Sequence, residues 1–234
     1  MHKIYKYFLF DLDRTIWDFD ANAEHNICGL LERYQLPIND KLDFIHSYEQ
    51  INNRLWADYE KGLISKDKFR GERFYQTLLK YGIDDRELAV KMGEDYLNDM
   101  PNQKILMPYA MEVLSTLKAR GVRMALITNG FKEVQYRKLK NSGIDHFFEA
   151  ILISEEQGVQ KPSPIIFKRA LKAIDGIKSE SIMVGDDFVN DIEGAMIFGI
   201  DQFFYNYRSV PCDGGPTYNS RDLRELLAIS SPGQ

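Results

Sequence analysis

The sequence is poor in cysteine and in long apolar runs. Its two cysteines, Cys28 and Cys212, could form one bridge, but they make no disulfide framework, and a reducing compartment is the simpler expectation. No segment approaches the roughly 20 apolar residues of a membrane-spanning helix. The N-terminus also reaches its first acid, Asp11, without an apolar stretch long enough for a signal peptide. These absences predict a cytoplasmic protein without a membrane anchor.

The chain also lacks an excess of positive charge. It has 30 Lys and Arg against 35 Asp and Glu, which gives a net charge of -5 over 234 residues. A nucleic-acid-binding protein normally shows a basic face, so this balance argues against a nucleic-acid partner. The length exceeds that of a usual single domain and favours one domain with an insertion or two small domains.

The chain divides into two regions with different patterns of predicted secondary structure. Residues 17–102 carry no convincing strand and read as successive amphipathic helices, one of which begins at a Ser65 cap and ends at Gly82. Residues 103–234 alternate short apolar strands with helices, and residues 1–16 add one strand before the helical block. This alternation is typical of a parallel sheet covered by helices on both faces. We therefore predict an α/β core that carries a helical insertion at residues 17–102.

Polar residues collect where the predicted strands of this core end. In strand order they are Asp11 and Asp13, Thr128 and Asn129, Lys161, and finally Asp186, Asp187 and Asp191. The carboxyl ends of parallel strands share one edge of the sheet, where ligands bind near the point at which the strand order reverses. Converging acids repel one another, so the site needs a cation, and oxygen ligands without nearby His or Cys fit Mg²⁺.

A phosphate ester would complete this set of groups. Asp11 would attack phosphorus to form an aspartyl-phosphate, and Asp13 would protonate the leaving alcohol and then deprotonate the attacking water. The three phosphate oxygens would be held by Thr128, the Asn129 backbone N–H and Lys161. Metal ligands would come from Asp11, the Asp13 carbonyl and Asp186, with Asp187 or Asp191 orienting metal waters or the lysine.

The segments "DLDRT", "ITNG", the lysine of "QKPSP" and "GDDFVND" resemble, in this order, the four motifs of the haloacid dehalogenase (HAD) superfamily. The resemblance implies an α/β fold with a HAD-type Rossmann-like parallel sheet core and an inserted helical-bundle cap of the C1 type. It assigns the nucleophile, the acid/base, the phosphate-binding hydroxyl, the lysine and the metal acid to Asp11, Asp13, Thr128, Lys161 and Asp186. Arg14 departs from the pattern, because many members have glycine there.

A narrower resemblance lies in the cap and in the residues after the second motif. The segments "INNRLWADYEKGLISKDKFRGERF" and "ITNGFKEVQYRKLKNSGIDHFFEAILISEEQGVQKP" resemble the YjjG-type branch of pyrimidine 5'-nucleotidases. This implies a small phosphorylated metabolite, a nucleoside monophosphate, as substrate, with Mg²⁺ as cofactor and a cap that closes over the site. Aromatic residues that could stack a nucleobase are Trp17, Trp56, Tyr59 and Phe131, although core packing is the more common role of such residues.

Several alternatives stay open at this stage. Arg70 and Arg73 could meet a ribose or base carbonyl, but a solvated helix face is the more common position for them. A phosphomutase, a sugar-phosphate phosphatase, or a phosphatase of the phosphoglycolate or N-acetylneuraminate 9-phosphate type would use the same core residues. The sequence also leaves open whether the protein is a monomer or a homodimer.

Three other activities are disfavoured. A dehalogenase has no need of an acid two residues after its nucleophile, where Asp13 stands. A phosphonatase would need a Schiff-base lysine in the cap, and Lys61, Lys66 and Lys68 have no evident apolar surroundings to activate one. A non-catalytic nucleotide-binding module would usually have lost its nucleophile or its acid.

Overall fold

The computed structural model describes residues 3–212 and 214–232. The chain folds into two compact units, here called the α/β unit (residues up to Asp20 and from Lys104 onward) and the helical unit (Ala21–Gln103). The predicted divisions, after residues 16 and 102, lie a few residues away. No helix within the described ranges is long and apolar enough to cross a membrane, and both cysteines are free thiols.

The helical block lies between the first strand and the others, as the sequence predicts, and the structure adds a short last strand and a short helix after the third strand. The strands are β1 (Tyr7–Phe10), β2 (Arg123–Thr128), β3 (Ala150–Ile153), β4 (Ser181–Gly185), β5 (Asp201–Tyr205) and β6 (Tyr218–Ser220). The helices are α1 (Phe19–Arg33), α2 (Lys41–Glu60), α3 (Lys66–Lys80), α4 (Arg86–Asp99), α5 (Ala110–Ala119), α6 (Lys132–Asn141), α7 (Ser154–Gln157), α8 (Pro164–Ala173), α9 (Gly194–Phe198) and α10 (Leu226–Ile229). A π-helical turn, Phe188–Glu193, directly precedes α9.

The α/β unit is built on a six-stranded parallel sheet in the order β3-β2-β1-β4-β5-β6. Strand β1 reads as an unbroken apolar run because it is buried on both faces; Phe8, Leu9 and Phe10 are all inaccessible to solvent. Leu9 belongs to a core cluster with Ile127 of β2 and Met183 of β4. The parallel sheet with its helices confirms the predicted α/β, Rossmann-like fold class.

The strand order reverses at the centre of this sheet. The chain runs outward from β1 through β2 to β3, and then returns to the other side of β1 to form β4. Ligands in open α/β sheets bind beyond the carboxyl ends of the strands at such a reversal. Asp11 follows β1 and Asp186 follows β4, so the topology places these two acids at the reversal.

Aromatic side chains fill the interior of the helical unit. Tyr48 of α2, Phe74 of α3 and Tyr96 of α4 have ring centroids between 4.8 and 5.6 Å apart. The predicted Ser65 cap is present, since the Ser65 hydroxyl oxygen accepts the backbone N–H of Lys68 at 3.3 Å. The buried aromatic residues form the apolar faces of the predicted amphipathic helices, and the cap marks the start of α3.

Arg73 lies inside the aromatic interior, and the expectation that it occupies a solvated helix face was wrong. Its side chain is only 3% exposed, and its guanidinium carbon lies 4.6 Å from the ring centroid of Tyr96 and 4.9 Å from that of Phe69. Its Nη1 donates to Asn52 Oδ1 at 3.2 Å. Aromatic faces stabilise a buried guanidinium, which allows a cation to stand where the helical period calls for an apolar residue.

Helices α3 and α4 approach each other where both carry glycine. A Cβ added to Gly93 of α4 would lie 2.6 Å from the backbone oxygen of Arg70 and 3.7 Å from the Cα of Gly71. A backbone oxygen cannot swing aside as the end of a flexible side chain can. The space between the two helices, rather than any special backbone conformation, therefore requires glycine at this position.

We expect Gly93→Ala to lower the free energy of unfolding by about 1–3 kcal/mol, because the added methyl group must push the two helices apart. The matched control is Gly29→Ala in α1, an exposed helical position where an added Cβ would have no atom within 4 Å. This control should be neutral or should raise the free energy of unfolding by up to about 1 kcal/mol. Guanidinium unfolding followed by circular dichroism measures both, and equal effects would contradict the close packing of α3 on α4.

Candidate active site

Three of the acids that the sequence places at this edge of the sheet meet in the structure. Asp11, Asp186 and Asp191 each offer a carboxylate oxygen, and these oxygens lie within 4.8 Å of one another. The Asp11 N–H donates to the carbonyl of Val184 at 2.9 Å, so β1 stays paired with β4 up to the acid. Asp191 comes from the π-helical turn that follows β4.

Gly185, the last residue of β4, makes room for Asp191. A Cβ at this position would lie 2.2 Å from Asp191 Oδ2. The same oxygen accepts the backbone N–H of Asp187 at 3.1 Å, which fixes the carboxylate against the end of the strand. The glycine of "GDD" is therefore required for space beside the acid cluster.

Lys161 joins two of these acids. Its ammonium nitrogen lies 2.6 Å from both Asp11 Oδ1 and Asp191 Oδ1, and the residue is 3% exposed. The Asn129 side chain holds the lysine backbone, because its Oδ1 accepts the Lys161 N–H at 3.0 Å and its Nδ2 donates to the Lys161 carbonyl at 3.1 Å. The sequence predicted only a backbone role for Asn129, so its positioning of Lys161 is an addition from the structure.

Burial and mutual repulsion shift the pKa values of these acids. Burial, together with the charges of Asp11 and Asp191, raises the pKa of Asp186 well above its ordinary value. Burial also raises the pKa of Asp11, and that of Asp191 to about 8, against the opposing effect of the Lys161 ammonium. Burial alone would lower the pKa of Lys161, but the two carboxylates outweigh it and raise that pKa. Lys161 therefore stays positively charged, but its single charge does not balance the three acids around it.

A divalent cation would compensate the remaining negative charge. Both oxygens of Asp191 already accept hydrogen bonds, from Lys161 and from the Asp187 N–H, so Asp191 is better placed to orient the lysine than to bind a metal. Asp11 and Asp186 retain lone pairs for a metal, although Asp186 Oδ1 also accepts the Thr15 hydroxyl at 3.4 Å. An all-oxygen donor set of this kind suits Mg²⁺. A ligand role for the Asp13 carbonyl stays a prediction.

Asp13 has a different set of partners from Asp11. Its Oδ1 lies 2.6 Å from the Lys138 ammonium, and its Oδ2 accepts a hydrogen bond from Gln135 Nε2 at 2.8 Å. Lys138 and Gln135 are almost inaccessible to solvent, at 3% and 0% exposure. Two acids that stand two residues apart in sequence are therefore held by separate donors.

Neither Lys138 nor Gln135 was singled out from the sequence, because α6 reads as a charged, solvated helix. Its sequence, KEVQYRKLKN, is dominated by cations and other polar residues. The signal lies in its period: the buried positions are Val134, Gln135, Lys138 and Leu139. Spacings of three and four residues place these side chains on one helix face, so the two apolar residues could have marked the two polar ones as buried.

Thr128 ends β2 beside this pair. It is 1% exposed, and its Oγ1 accepts hydrogen bonds from the Gly130 N–H at 3.1 Å and from Gln135 Nε2 at 2.7 Å. With both lone pairs of the oxygen occupied, the hydroxyl hydrogen can donate to an anionic ligand. This geometry suits the predicted phosphate-binding role of Thr128.

The predicted aromatic contacts fall into two groups. In the α/β unit, Trp17 is fully buried with the Lys138 ammonium 4.2 Å from its ring centroid, and Phe131 is 4% exposed. The burial of Trp17 leaves no exposed ring face for a nucleobase and favours the packing role over the predicted stacking role. In the helical unit, Trp56 and Tyr59 are half-buried with ring centroids 5.6 Å apart. A substrate-binding role for Trp56, Tyr59 and Phe131 stays a prediction.

Two further residues near the motifs have evident structural roles. Asp187 is exposed and caps the π-helical turn, since its Oδ1 accepts the backbone N–H groups of Val189 and Asn190 at 3.0 and 2.9 Å. Arg14 has a left-handed backbone with φ of +67°, the conformation in which glycine is unstrained. Its Nε donates to Asp20 Oδ1 at 2.8 Å. The position thus suits the family's glycine, and the ion pair accounts for arginine.

The family model for haloacid dehalogenase-like hydrolases matches residues 5–199, a range that contains every residue of the acid cluster and its partners. The chain belongs to the haloacid dehalogenase-like hydrolases. The HAD motifs read from the sequence are therefore motifs of a true member.

Relatives of known name extend over most of the chain. The HAD-hydrolase YfnB of Bacillus subtilis is 30% identical over 230 residues, covering 97% of this chain and 96% of YfnB. A YfnB structure bound to magnesium has a TM-score of 0.87 and covers 97% of this chain and 99% of that chain. The pyrimidine 5'-nucleotidase YjjG of Escherichia coli is 29% identical over 221 residues (93% and 94% covered). The glyceraldehyde 3-phosphate phosphatase of Pyrococcus abyssi is 42% identical over 219 residues (86% and 82% covered).

Because the pKa values of these acids are raised in the folded protein, the free energy of unfolding of the metal-free protein depends on pH with a definite sign. Above an ordinary carboxyl pKa of about 4, the unfolded chain has lost protons that the folded site retains. The stability that these acids contribute therefore falls as the pH rises through this range towards the pKa of about 8 at Asp191. A cation that binds the carboxylates competes with protons, so it should stabilise the fold more at high pH.

We expect Mg²⁺ at about a hundredfold excess over its Kd to stabilise the protein by about 2.7 kcal/mol, which raises the thermal unfolding midpoint by roughly 5–10 °C relative to EDTA. At one fixed Mg²⁺ concentration, the shift should be larger at about pH 8 than at about pH 6, because protons compete with the metal and weaken its binding at the lower pH. Scanning fluorimetry measures it. Asp186→Asn should remove most of the shift, whereas the control Asp187→Asn, which still caps the turn, should keep it. A shift that survives Asp186→Asn would contradict the role of Asp186.

Proposed function

We propose that this HAD hydrolase is a Mg²⁺-dependent phosphomonoester hydrolase that works through an aspartyl-phosphate on Asp11. The observation that carries the proposal is the separate environment of the two acids after β1. Asp11 lies in the cluster with Asp186 and Lys161, whereas Asp13 is held by donors from α6. These environments support a role for Asp11 in attack on phosphorus beside the Lys161 ammonium, and a role for Asp13 in proton exchange.

In the first half-reaction, a carboxylate oxygen of Asp11 forms a bond to phosphorus and the ester P–O bond breaks. The proton that the leaving alkoxide needs comes from the Asp13 carboxyl group. The Lys161 ammonium and the Thr128 hydroxyl hold phosphoryl oxygens as charge shifts onto them. The products of this step are the free alcohol and the aspartyl-phosphate, with Asp13 as a carboxylate.

In the second half-reaction, Asp13 takes a proton from water as the water oxygen attacks phosphorus. The bond between phosphorus and Asp11 breaks, which returns the Asp11 carboxylate and releases inorganic phosphate. Bound Mg²⁺, held by Asp11 and Asp186, would shield the anionic phosphate from the anionic nucleophile. The cycle consumes one water and leaves both acids in their initial state.

The preferred substrate in this proposal is a pyrimidine nucleoside 5'-monophosphate. Support comes from YjjG, a pyrimidine 5'-nucleotidase that aligns with 93% of this chain. A second candidate is a small sugar phosphate, supported by the higher identity, 42%, of the glyceraldehyde 3-phosphate phosphatase, which aligns with 86% of this chain. The YjjG alignment is the more complete in both chains, and the cap segments resemble that branch, so the nucleotide stands first.

We expect Asp11→Asn to lower kcat by at least roughly 1000-fold, because an amide cannot attack phosphorus. Asp13→Asn is the paired variant: it keeps the nucleophile but removes the base for water attack. With p-nitrophenyl phosphate, whose leaving group needs no acid, the phosphoenzyme should therefore accumulate. Steady-state rates and intact mass spectrometry after substrate addition test both. Substantial turnover by well-folded Asp11→Asn would refute Asp11 as nucleophile.

We expect UMP, CMP and dTMP to be hydrolysed with higher kcat/KM than purine nucleotides, glyceraldehyde 3-phosphate, phosphoglycolate or hexose phosphates. Phosphate release with Mg²⁺ and with EDTA ranks the esters and tests the metal requirement together. A sugar phosphate ahead of every nucleotide would overturn the nucleotidase assignment but keep the phosphatase. No turnover of any ester by folded, Mg²⁺-loaded protein would refute the phosphatase itself.

A further inference from the structure

We propose that Lys138 and Gln135 of α6 are positioning residues for Asp13, which hold its carboxylate in the orientation needed for proton transfer. The inference rests on the proposed function, because it concerns the step in which the leaving alcohol receives its proton. It extends that function by assigning a role to α6, a helix that carries none of the four HAD motifs.

Each oxygen of the Asp13 carboxylate has its own donor. Lys138 Nζ lies 2.6 Å from Oδ1, and Gln135 Nε2 lies 2.8 Å from Oδ2. The Asp13 side chain is 24% exposed, whereas that of Lys138 is 3% exposed. The Asp13 carboxylate is thus partly exposed to a ligand, while both of its oxygens contact buried side chains. Two fixed contacts leave little freedom of rotation about the χ2 bond of the acid.

Lys138 is itself fixed by aromatic rings. Its ammonium nitrogen lies 4.2 Å from the ring centroid of Trp17 and 5.4 Å from that of Phe19. A buried lysine is costly unless its charge is compensated, and here the compensation comes from Asp13 and these two rings. Trp17 follows Asp13 in the same tight loop, so this loop supplies both the acid and the aromatic ring that contacts Lys138.

Gln135 connects Asp13 to the phosphate-binding threonine. Its Nε2 donates to Thr128 Oγ1 at 2.7 Å as well as to Asp13 Oδ2. A Cβ on Gly130 would lie 2.2 Å from that nitrogen and 2.5 Å from Cδ of the same side chain. The φ angle of Gly130 is not positive, so the glycine matters for space: a larger residue would displace the amide from its contacts with Thr128 and Asp13.

A purely structural ion pair and a positioning pair predict different kinetics. Loss of a structural pair lowers the activity towards every ester by the same factor, because less protein is correctly folded. Loss of a positioning pair affects only esters whose leaving group must be protonated. An alkoxide leaving group requires the acid, whereas p-nitrophenolate leaves without it. The ratio of the two kcat/KM values isolates the step up to phosphoenzyme formation.

The test compares Lys138→Met with the wild type on UMP and on p-nitrophenyl phosphate, both with Mg²⁺. We expect kcat/KM for UMP to fall by about 100-fold or more, within the range of a general acid. For p-nitrophenyl phosphate we expect a fall of less than about 5-fold in kcat/KM, with the phosphoenzyme accumulating because water attack also uses Asp13. Equal falls for the two esters would overturn the inference.

Three further variants sharpen the result. Lys140→Met removes a lysine from the exposed face of the same helix and should leave both rates unchanged. In an Asp13→Asn background, Lys138→Met should no longer change the ratio, because the acid through which it acts is gone. If Lys138→Met does not fold, Gln135→Met carries the test; it should depress UMP turnover selectively, and an unchanged ratio would refute the proposal.

The outcomes separate this inference from the proposed function. A wild type that hydrolyses neither ester refutes the phosphatase, and with it the inference. A wild type that hydrolyses both, together with variants that keep the wild-type ratio, refutes only the positioning role of α6.

Discussion

Excess negative charge at one edge of the sheet is the constraint on which this structure depends. Asp11, Asp186 and Asp191 converge beyond β1 and β4, and Asp13 follows Asp11 by two residues. Burial raises the pKa of the three acids that converge. Two buried lysines form ion pairs with different acids: Lys161 with Asp11 and Asp191, and Lys138 with Asp13. The different roles that we propose for Asp11 and Asp13 rest on this pairing, since each acid is held by a different lysine. A divalent metal would compensate the negative charge that the two lysines leave.

Glycine serves this site by leaving space. The side chain missing at Gly185 leaves room for the Asp191 carboxylate, and that missing at Gly130 leaves room for the Gln135 amide. Neither glycine has a positive φ, so both positions need glycine for space rather than for backbone conformation. Arg14 shows the converse, because its positive φ would suit glycine and an ion pair with Asp20 supports the larger residue instead.

The sequence predicted the parts of the site that follow from strand ends. Buried parallel strands read as apolar runs, so the polar residues after β1, β2 and β4 stand out, and the sheet brings them together. Partners that reach the site from a helix were not predicted. Lys138 lies among other cations in α6, and Arg73 lies in a polar stretch of α3, although both are buried. Charged residues are ordinarily exposed, so Arg73 could be identified only from its contacts in three dimensions. For Lys138 the one sequence signal was its helical spacing from Val134 and Leu139.

The residues that explain the reaction do not explain the substrate. Relatives named as a pyrimidine 5'-nucleotidase and as a glyceraldehyde 3-phosphate phosphatase both align with most of this chain. In the proposed mechanism, Asp11 attacks the phosphoryl group and Asp13 transfers a proton to the leaving oxygen, and every phosphate monoester has both groups. Discrimination between a nucleoside and a three-carbon sugar therefore has to come from residues outside the motifs. The half-buried aromatic residues Trp56 and Tyr59 are the first places to look, because a nucleobase offers a ring face that a small sugar lacks.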